Sequence, residues 1–191
     1  AVALAVLAGT VLPVARSLRS HGVSGLTIQR RPGLHQRVVG LTVGALGGAA
    51  VLWGVLLAAL GTARLGVCDC PVAIGAIGWV LYAAGLLLVL VAQAQMGGAW
   101  RIGVDVRPTE LVTRGLYAYV RNPIYAGMML LGAGLAALTP SPWTLGCAVV
   151  YAAIIRVQTS IEERHLLSLH GDAYRAYLAR AGRFVPGVGR G

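Results

Sequence analysis

The residues suited to a binding site are concentrated in two short stretches of the chain. The first, GLYAYVRNPIYAG at 115–127, places an arginine, an asparagine and three tyrosines directly before an apolar run. Pro123 suits the first turn of a helix, where its missing N–H costs no hydrogen bond, and Asn122 then falls near the N-cap. The free N–H groups and positive dipole end of such a helix start favour a carboxylate or another polar ligand. Tyr117 and Tyr125 add flat rings on which an adenine could stack.

The second stretch is a pair of adjacent carboxylates. Glu162 and Glu163 follow an apolar run that contains Ile155. Because a glutamate pair near a membrane surface is costly unless it is solvated or paired, one of the two is expected to pair with Arg121, Arg156 or a ligand amine. The simpler interpretations stay open: solvated charges on a helix face for the glutamates, and an interfacial belt for the tyrosines.

The composition predicts that both stretches belong to an integral membrane protein. Of the 191 residues, 57% are hydrophobic and 12% charged, whereas a soluble domain has about a quarter charged residues. Five apolar segments fit transmembrane helices, three of them shorter than the roughly twenty residues of a full span: 1–14, 38–60, 72–96, 124–139 and 142–155. The predicted fold is therefore all-α, a membrane helical bundle of about five transmembrane helices plus a cytoplasmic amphipathic helix within residues 156–181.

The distribution of arginine predicts the orientation of this bundle. With five spans, loops 16–37 and 97–123 and the tail 156–191 share one side, and every arginine except Arg64 lies there. Because cationic loops stay cytoplasmic, the N-terminus is expected outside the inner membrane, with the C-terminus and both candidate stretches inside. The net charge of +10 then reflects contact with anionic headgroups, and nucleic acid is not expected as a partner.

Small residues and cysteines add two weaker expectations. Gly40, Gly44 and Gly48 recur on one face of the second span, which predicts close helix packing within the bundle or, alternatively, a dimer face. The choice between monomer and dimer stays open. Cys68, Cys70 and Cys147 lack further Cys or His partners at ligand spacing, so no metal site is predicted; a strained Cys68–Cys70 disulfide is the alternative to free thiols.

Two blocks of sequence resemble a known family. LVTRGLYAYVRNPIYAG at 111–127 resembles the L-V-T-S-G-x-Y-x-x-x-R-H-P-x-Y-x-G block of the isoprenylcysteine carboxyl methyltransferases and their phospholipid-methyltransferase relatives. EERHLLSLHGDAYRAYLARAGRFVP at 162–186 is similar to the second block of that family, E-E-x-x-L-x-x-x-F-G-x-x-Y-x-x-Y-x-x-x-V-P. The blocks occur in the family's order on either side of the predicted helical hairpin 124–155, and the resemblance covers about residues 95–186.

The resemblance implies one membrane methyltransferase domain. Three spans in 1–96 would precede a catalytic core in 97–186, which uses S-adenosyl-L-methionine to methylate a lipid-like or prenylated acceptor and releases S-adenosyl-L-homocysteine; 187–191 would be a flexible end. Arg121 would hold the pocket or orient an acceptor carboxylate, and Glu163 would act as base for an amine or thiol. The resemblance places these residues around the cofactor: Thr109, Glu110, Leu111, Val112, Tyr117, Asn122, Pro123, Ile124, Tyr125 and Glu162.

The chain departs from the family pattern at positions that concern the acceptor. Asn122 stands where the family usually has histidine, and the family's substrate-side arginine falls at Gln158. Arg156, the nearest arginine, lies on another helix face; Arg156 and Gln158 are the predicted substrate-binding positions. Two other functions compete with methyl transfer: a membrane reductase with a nicotinamide cofactor, and a non-catalytic sensor or transporter. The spans carry no charged residue, which argues against a transporter.

Overall fold

A computed structural model of the chain describes residues 34–69, 71–96 and 111–191, of which 34–47 and 50 are described by their backbone alone. The predicted span 1–14, Cys70, Thr109 and Glu110 lie outside the described residues, as do most of the first arginine-rich loop and the first half of loop 97–123. The predictions made for these residues stay predictions.

The described part of the chain is helical, which confirms the predicted fold class. It contains no strand, and its only β-type pairing is an isolated parallel bridge between Val120 and Gly182. Five α-helices and one 3-10 turn follow in this order: α1 Leu34–Arg64, α2 Val72–Met96, the 3-10 turn Gly115–Ala118, α3 Pro123–Leu138, α4 Pro142–His170 and α5 Asp172–Arg180.

Two of these helices are long and apolar enough to cross a membrane. They are α2 and α4, while α3 and the Val51–Arg64 part of α1 are shorter apolar helices. Gly61 interrupts α1 with φ +76°, one residue past the predicted end of that span. The number of five transmembrane helices stays a prediction.

Helix α4 continues well beyond its predicted end at residue 155. It runs unbroken to His170 and stops at Gly171, whose φ of +53° lies in the left-handed region that favours glycine. Ile155, Thr159 and Glu163 are buried at successive turns of one face, so a single buried stripe connects the apolar half to the charged half. The first half of the predicted amphipathic tail is thus the continuation of α4, and the two glutamates stand on it.

Helices α2 and α3 lie antiparallel with their backbones in direct contact. A Cβ atom at Gly85 would stand 2.7 Å from the Gly127 carbonyl oxygen, and one at Gly134 would stand 2.7 Å from the Tyr82 nitrogen. Only glycine permits such an approach. The sequence had predicted a close glycine contact in α1 instead. Gly48 is exposed, and a Cβ there would meet none of the described residues within 4 Å; the packing or dimer role of the α1 glycines stays a prediction.

The two arginine-poor loops meet at one end of the bundle. The Cys68 amide donates to the Pro140 carbonyl at 2.8 Å, and the Trp53 indole donates to the Thr139 hydroxyl at 3.3 Å. The turn between α3 and α4 closes the helical hairpin that the sequence predicted. Ser141 caps α4 through a reciprocal pair of bonds with Thr144. Both candidate stretches therefore lie at the other end.

Candidate active site

The segment before α3 is joined to the C-terminal segment 181–191, here called the clasp. The Arg121 amide donates to the Gly182 carbonyl at 2.8 Å, and the Gly182 amide donates to the Tyr119 carbonyl at 2.9 Å. The Asn122 amide donates to the Arg183 carbonyl at 3.2 Å. A Cβ at Gly182 would lie 2.0 Å from the Val185 carbonyl oxygen, so only glycine fits there. The tail thus folds back over the loop that precedes α3.

Arg121 holds the clasp in place from inside. Its side chain is 2% exposed, and its Nε donates to Glu163 Oε1 at 3.1 Å. The remaining nitrogens donate to three main-chain carbonyls, those of Leu178, Ala181 and Gly189. A planar guanidinium with five donors suits such a junction of several chain segments. Arg121 thus connects α4, the end of α5 and the clasp.

Glu163 is the buried counter-charge of this junction. Its Oε1 accepts from Arg121 and from Asn122 Nδ2, the latter at 2.9 Å, and its Oε2 accepts from the Arg183 guanidinium. The carboxylate is 6% exposed, and both of its oxygens are engaged. Asn122 occupies the predicted N-cap position of α3, but its side chain bonds to Glu163 rather than to the helix N–H groups.

Glu162 stands on the neighbouring position of α4 and has different partners. Its Oε1 accepts from the Tyr125 hydroxyl at 2.7 Å and from Gln158 Nε2 at 2.6 Å. Both are neutral donors, and both bind the same oxygen, so neither of these two described partners occupies Oε2. We call Tyr125, Gln158 and Glu162 the acceptor cluster, because their oxygen atoms can accept hydrogen bonds.

Tyr117 connects the 3-10 turn to two helices. Its hydroxyl donates to the Ala92 carbonyl of α2 at 3.4 Å, and its own carbonyl accepts from the Tyr177 hydroxyl at 2.6 Å. Burial raises the pKa of the Tyr117 and Tyr177 hydroxyls, that of Tyr177 to about 12, so both remain protonated donors near neutral pH. Gln95 accepts from the Leu116 amide at 2.7 Å and so attaches the 3-10 turn to the end of α2.

Most of the predicted site residues within the described chain come together at this end. Pro123 is fully buried at the start of α3, Ile124 and Val112 are half-buried, and Leu111 packs against a core of Tyr174, Tyr177 and Ala181. Arg156, a predicted substrate-binding position, does not join them, since it is exposed; its role stays a prediction. The sequence analysis did not single out Gln95, Arg183 or the buried Tyr174–Tyr177 pair. Arg183 and the two tyrosines do stand in the second sequence block, in its R-F-V-P and Y-x-x-Y motifs.

The hydrogen-bonding groups of the acceptor cluster fit a cofactor that carries an ammonium group. Gln158 Oε1 is buried and has no hydrogen-bond partner among the described residues, although nearly all buried polar atoms in proteins have one. Among the described residues, no cation forms an ion pair with the adjacent Glu162 carboxylate. A positively charged donor placed between these groups would satisfy both.

Most of the helical bundle and of its buried polar end lies within a region that matches a known family of methyltransferases. The sequence model of the phospholipid methyltransferase family matches residues 73–173, which include α2, α3, α4 and the acceptor cluster. The chain belongs to that family. The resemblance inferred from the two sequence blocks is thereby confirmed.

Curated relatives fall into two groups by name. Methanethiol S-methyltransferase 1 of Bradyrhizobium diazoefficiens is 36% identical over 85 residues, which is 44% of this chain and 29% of the relative. Protein-S-isoprenylcysteine O-methyltransferase of Rattus norvegicus is 32% identical over 120 residues, 56% of this chain and 41% of the relative. A methanethiol S-methyltransferase of Crocosphaera subtropica is 25% identical over 124 residues, 58% of this chain and 46% of the relative. The chain thus spans less than half the length of these relatives.

Proposed function

We propose that this protein transfers a methyl group from S-adenosyl-L-methionine to an acceptor that reaches the site from the membrane. The proposal rests on the structure of the acceptor cluster. A buried carboxylate with neutral partners adjoins an unpartnered amide oxygen, next to the start of a helix, within a methyltransferase family. The active site would face the cytoplasm, in line with the sorting of arginines.

The cofactor would lie between the start of α3, the acceptor cluster and the segment before the 3-10 turn. Glu162 would bind its ammonium group or ribose through Oε2, and Tyr125 would fix the carboxylate from the other side. Thr109, Glu110, Leu111 and Val112 would line the pocket largely through main chain. Pro123, Ile124 and Asn122 would form the second wall, with Tyr117 behind them. When bound, S-adenosyl-L-methionine supplies a methyl group that its sulfonium has already activated.

The roles proposed for Arg121 and Glu163 follow from their contacts. Each is buried and bonded to the other, and Arg183 gives Glu163 a second cationic partner. We assign both to holding the clasp, and hence the pocket, rather than to moving a proton. An activated methyl donor needs positioning and exclusion of water above all, and correct placement of two reactants is worth roughly 7–11 kcal/mol.

The acceptor is the open part of the proposal. A lipid-like or prenylated acceptor is expected from the resemblance, and the relatives named above act, by name, on methanethiol or on isoprenylcysteine. The exposed apolar side chains of α2 and α4, such as Ile77, Val80, Leu145 and Val149, suit contact with membrane lipid. An apolar acceptor dissolved in the bilayer would reach the cytoplasmic end of α4 along this surface.

The test is calorimetric titration of the detergent-purified protein with S-adenosyl-L-methionine and S-adenosyl-L-homocysteine. Glu162→Ala and Tyr125→Ala are each expected to weaken binding about tenfold or more, in line with the roughly 1.5–3 kcal/mol of a hydrogen bond to a charged group. Asp172→Ala, which removes an exposed ion pair with Arg175, is the control and should bind like the wild type. A folded wild-type protein that binds neither compound would contradict the proposal.

A further inference from the structure

We propose that the outward face of helix α4 binds the phosphate of an anionic membrane phospholipid through Arg156 and Arg164. This lipid is a bound partner of the helix and not the methyl acceptor, so the inference goes beyond the proposed function and does not depend on it. Arg156 stands two positions before Gln158, and Arg164 stands two positions after Glu162. Because two positions of a helix point about 200° apart, the lipid site and the acceptor cluster lie on different faces.

The outward face of α4 changes from apolar to cationic along its length. Val149 and Val157 are 63% and 61% exposed, and Arg156 and Arg164 are exposed as well. At 100° per residue these four positions fall within an arc of about 100°. They therefore form one stripe that presents apolar surface first and two guanidinium groups next, which is the order of an acyl chain and its head group.

The Arg164 side chain points back toward the apolar half of the helix. Its Nε donates to the Ser160 carbonyl at 3.2 Å, one turn nearer to Arg156. The Ser160 hydroxyl donates to the Arg156 carbonyl at 2.9 Å, so the side chain between the two arginines is also held along the helix. The terminal nitrogens of Arg164 have no partner in the described chain. A guanidinium held in this way presents the paired N–H donors that match phosphate geometry.

No carboxylate in the described part of the chain neutralises these two arginines, since neither forms an ion pair there. Glu162 and Glu163 bond to other groups. Asp172 pairs with Arg175, and Asp69 lies in the loop at the other end of the bundle. Two exposed cations without a described counter-charge favour an anion from outside the chain.

The position of Arg156 along α4 indicates the source of this anion. Trp143, 68% exposed, lies at the start of the apolar face, and Arg156 follows about 20 Å further along the helix. The hydrocarbon core of a bilayer is about 30 Å thick, so Arg156 lies at or inside its edge when α4 crosses the membrane. An arginine at this depth extends its side chain to the interface, where anionic lipids attract cationic residues. We therefore assign the anion to a phospholipid of the adjoining leaflet.

The test measures the thermal midpoint of the detergent-purified protein in mixed micelles with increasing mole fractions of phosphatidylglycerol. Phosphatidylcholine, which has no net charge, is the comparison lipid, and glycerol 3-phosphate supplies the phosphate without acyl chains. The variant carries Arg156→Gln and Arg164→Gln. The control carries Arg175→Gln and Arg180→Gln, which remove two exposed cations from α5 and leave the same net charge as the variant.

We expect phosphatidylglycerol to raise the wild-type midpoint by about 4 °C or more beyond the effect of phosphatidylcholine, because a ligand that binds only the folded protein stabilises it. In the variant, the mole fraction that gives half of this shift should rise about tenfold or more, since two surface arginines that attract anionic lipid are lost. The control should stay within about twofold of the wild type.

Three results would overturn the inference. Equal midpoints in the two lipids would show that the anionic head group is not recognised. A control that loses as much of the shift as the variant would show diffuse attraction to the whole cationic end and no site on α4. A full shift with glycerol 3-phosphate alone would assign the arginines to a free phosphate compound instead of a lipid.

Discussion

Glu162 and Glu163 are chemically identical neighbours to which the structure gives opposite surroundings. Successive residues of a helix point about 100° apart, so one glutamate faces α3 and the other faces the clasp. Glu163 meets two arginines and an amide, whereas Glu162 meets a phenol and an amide. The first is consistent with a structural ion pair and the second with a ligand site.

The ion pair between Arg121 and Glu163 leads to a prediction about stability. Removal of one partner leaves an uncompensated buried charge, which costs about 3–5 kcal/mol. Glu163→Gln should therefore lower the free energy of unfolding in detergent by about 3 kcal/mol. Asp172→Asn, in the exposed pair with Arg175, should change it by less than about 1 kcal/mol. A Glu163→Gln protein with unchanged stability and cofactor binding but no methyl transfer would identify Glu163 as the base.

Tyr177 leads to a prediction at alkaline pH. Burial raises the pKa of its hydroxyl to about 12, with Arg121 opposing and Glu163 adding to the rise. Since an unfolded tyrosine has a pKa of about 10, the contribution of Tyr177 to stability is complete below pH 10 and declines as the pH rises through 12. Tyr177→Phe removes this contribution, so its thermal midpoint should fall less steeply than that of the wild type between about pH 9 and 12. Parallel curves would contradict the assignment.

At the scale of elements, two features position the site: the continuous helix α4 and the contact between α2 and α3. Because α4 is one helix, Glu162 and Glu163 are fixed relative to the apolar span. The glycine contact sets the distance between α2, which supplies Gln95, and α3, which supplies Tyr125. Small displacements along this contact would move two walls of the proposed pocket.

The glycine contact gives a prediction with a control in the same helix. Gly85→Ala places a methyl group 2.7 Å from the Gly127 carbonyl oxygen, and such overpacking costs about 1–3 kcal/mol. Gly75→Ala, also in α2, meets nothing within 4 Å and should be neutral or stabilising by up to about 1 kcal/mol. Unfolding of both variants in detergent measures the difference. Equal stabilities would show that α2 and α3 are not in backbone contact.

At the scale of the whole molecule, the described chain has two chemically different ends. One end joins the Cys68 loop to the turn between α3 and α4, and the other holds Arg121, Arg183, the clasp and the acceptor cluster. The separation of these ends fits a bundle that crosses the membrane with its active site on the cytoplasmic side, which is our proposal for its orientation.

Labelling of single cysteines tests this orientation. In a Cys70→Ser, Cys147→Ser protein, Cys68 is exposed and should react with a membrane-impermeant maleimide in intact cells. When all three cysteines are replaced and Ala179→Cys is added on the exposed face of α5, labelling should require permeabilised cells. Reaction of both sites from the same side would refute a separation by the membrane, and the reverse pattern would refute the proposed direction.

The local features of this protein were predictable from sequence because they depend on neighbouring residues. Apolar runs predicted α2 and α3, Pro123 predicted the start of α3, and the Thr139–Pro142 break predicted the hairpin. Two motif blocks located the candidate site and indicated the family that the comparison then confirmed.

Contacts between distant residues were decided only by the tertiary structure. The sequence could not show that Arg121 would turn toward Glu163 and three carbonyls, or that Gln158 would leave its oxygen free. It did not identify the glycine contact between α2 and α3, in which Gly85 of α2 approaches Gly127 of α3. It also ended α4 too early, since hydropathy falls near residue 155, while burial on one face continues to Glu163 and the helix itself to His170. Composition and periodicity are properties of one segment, whereas an ion pair or a shared pocket needs two segments to meet.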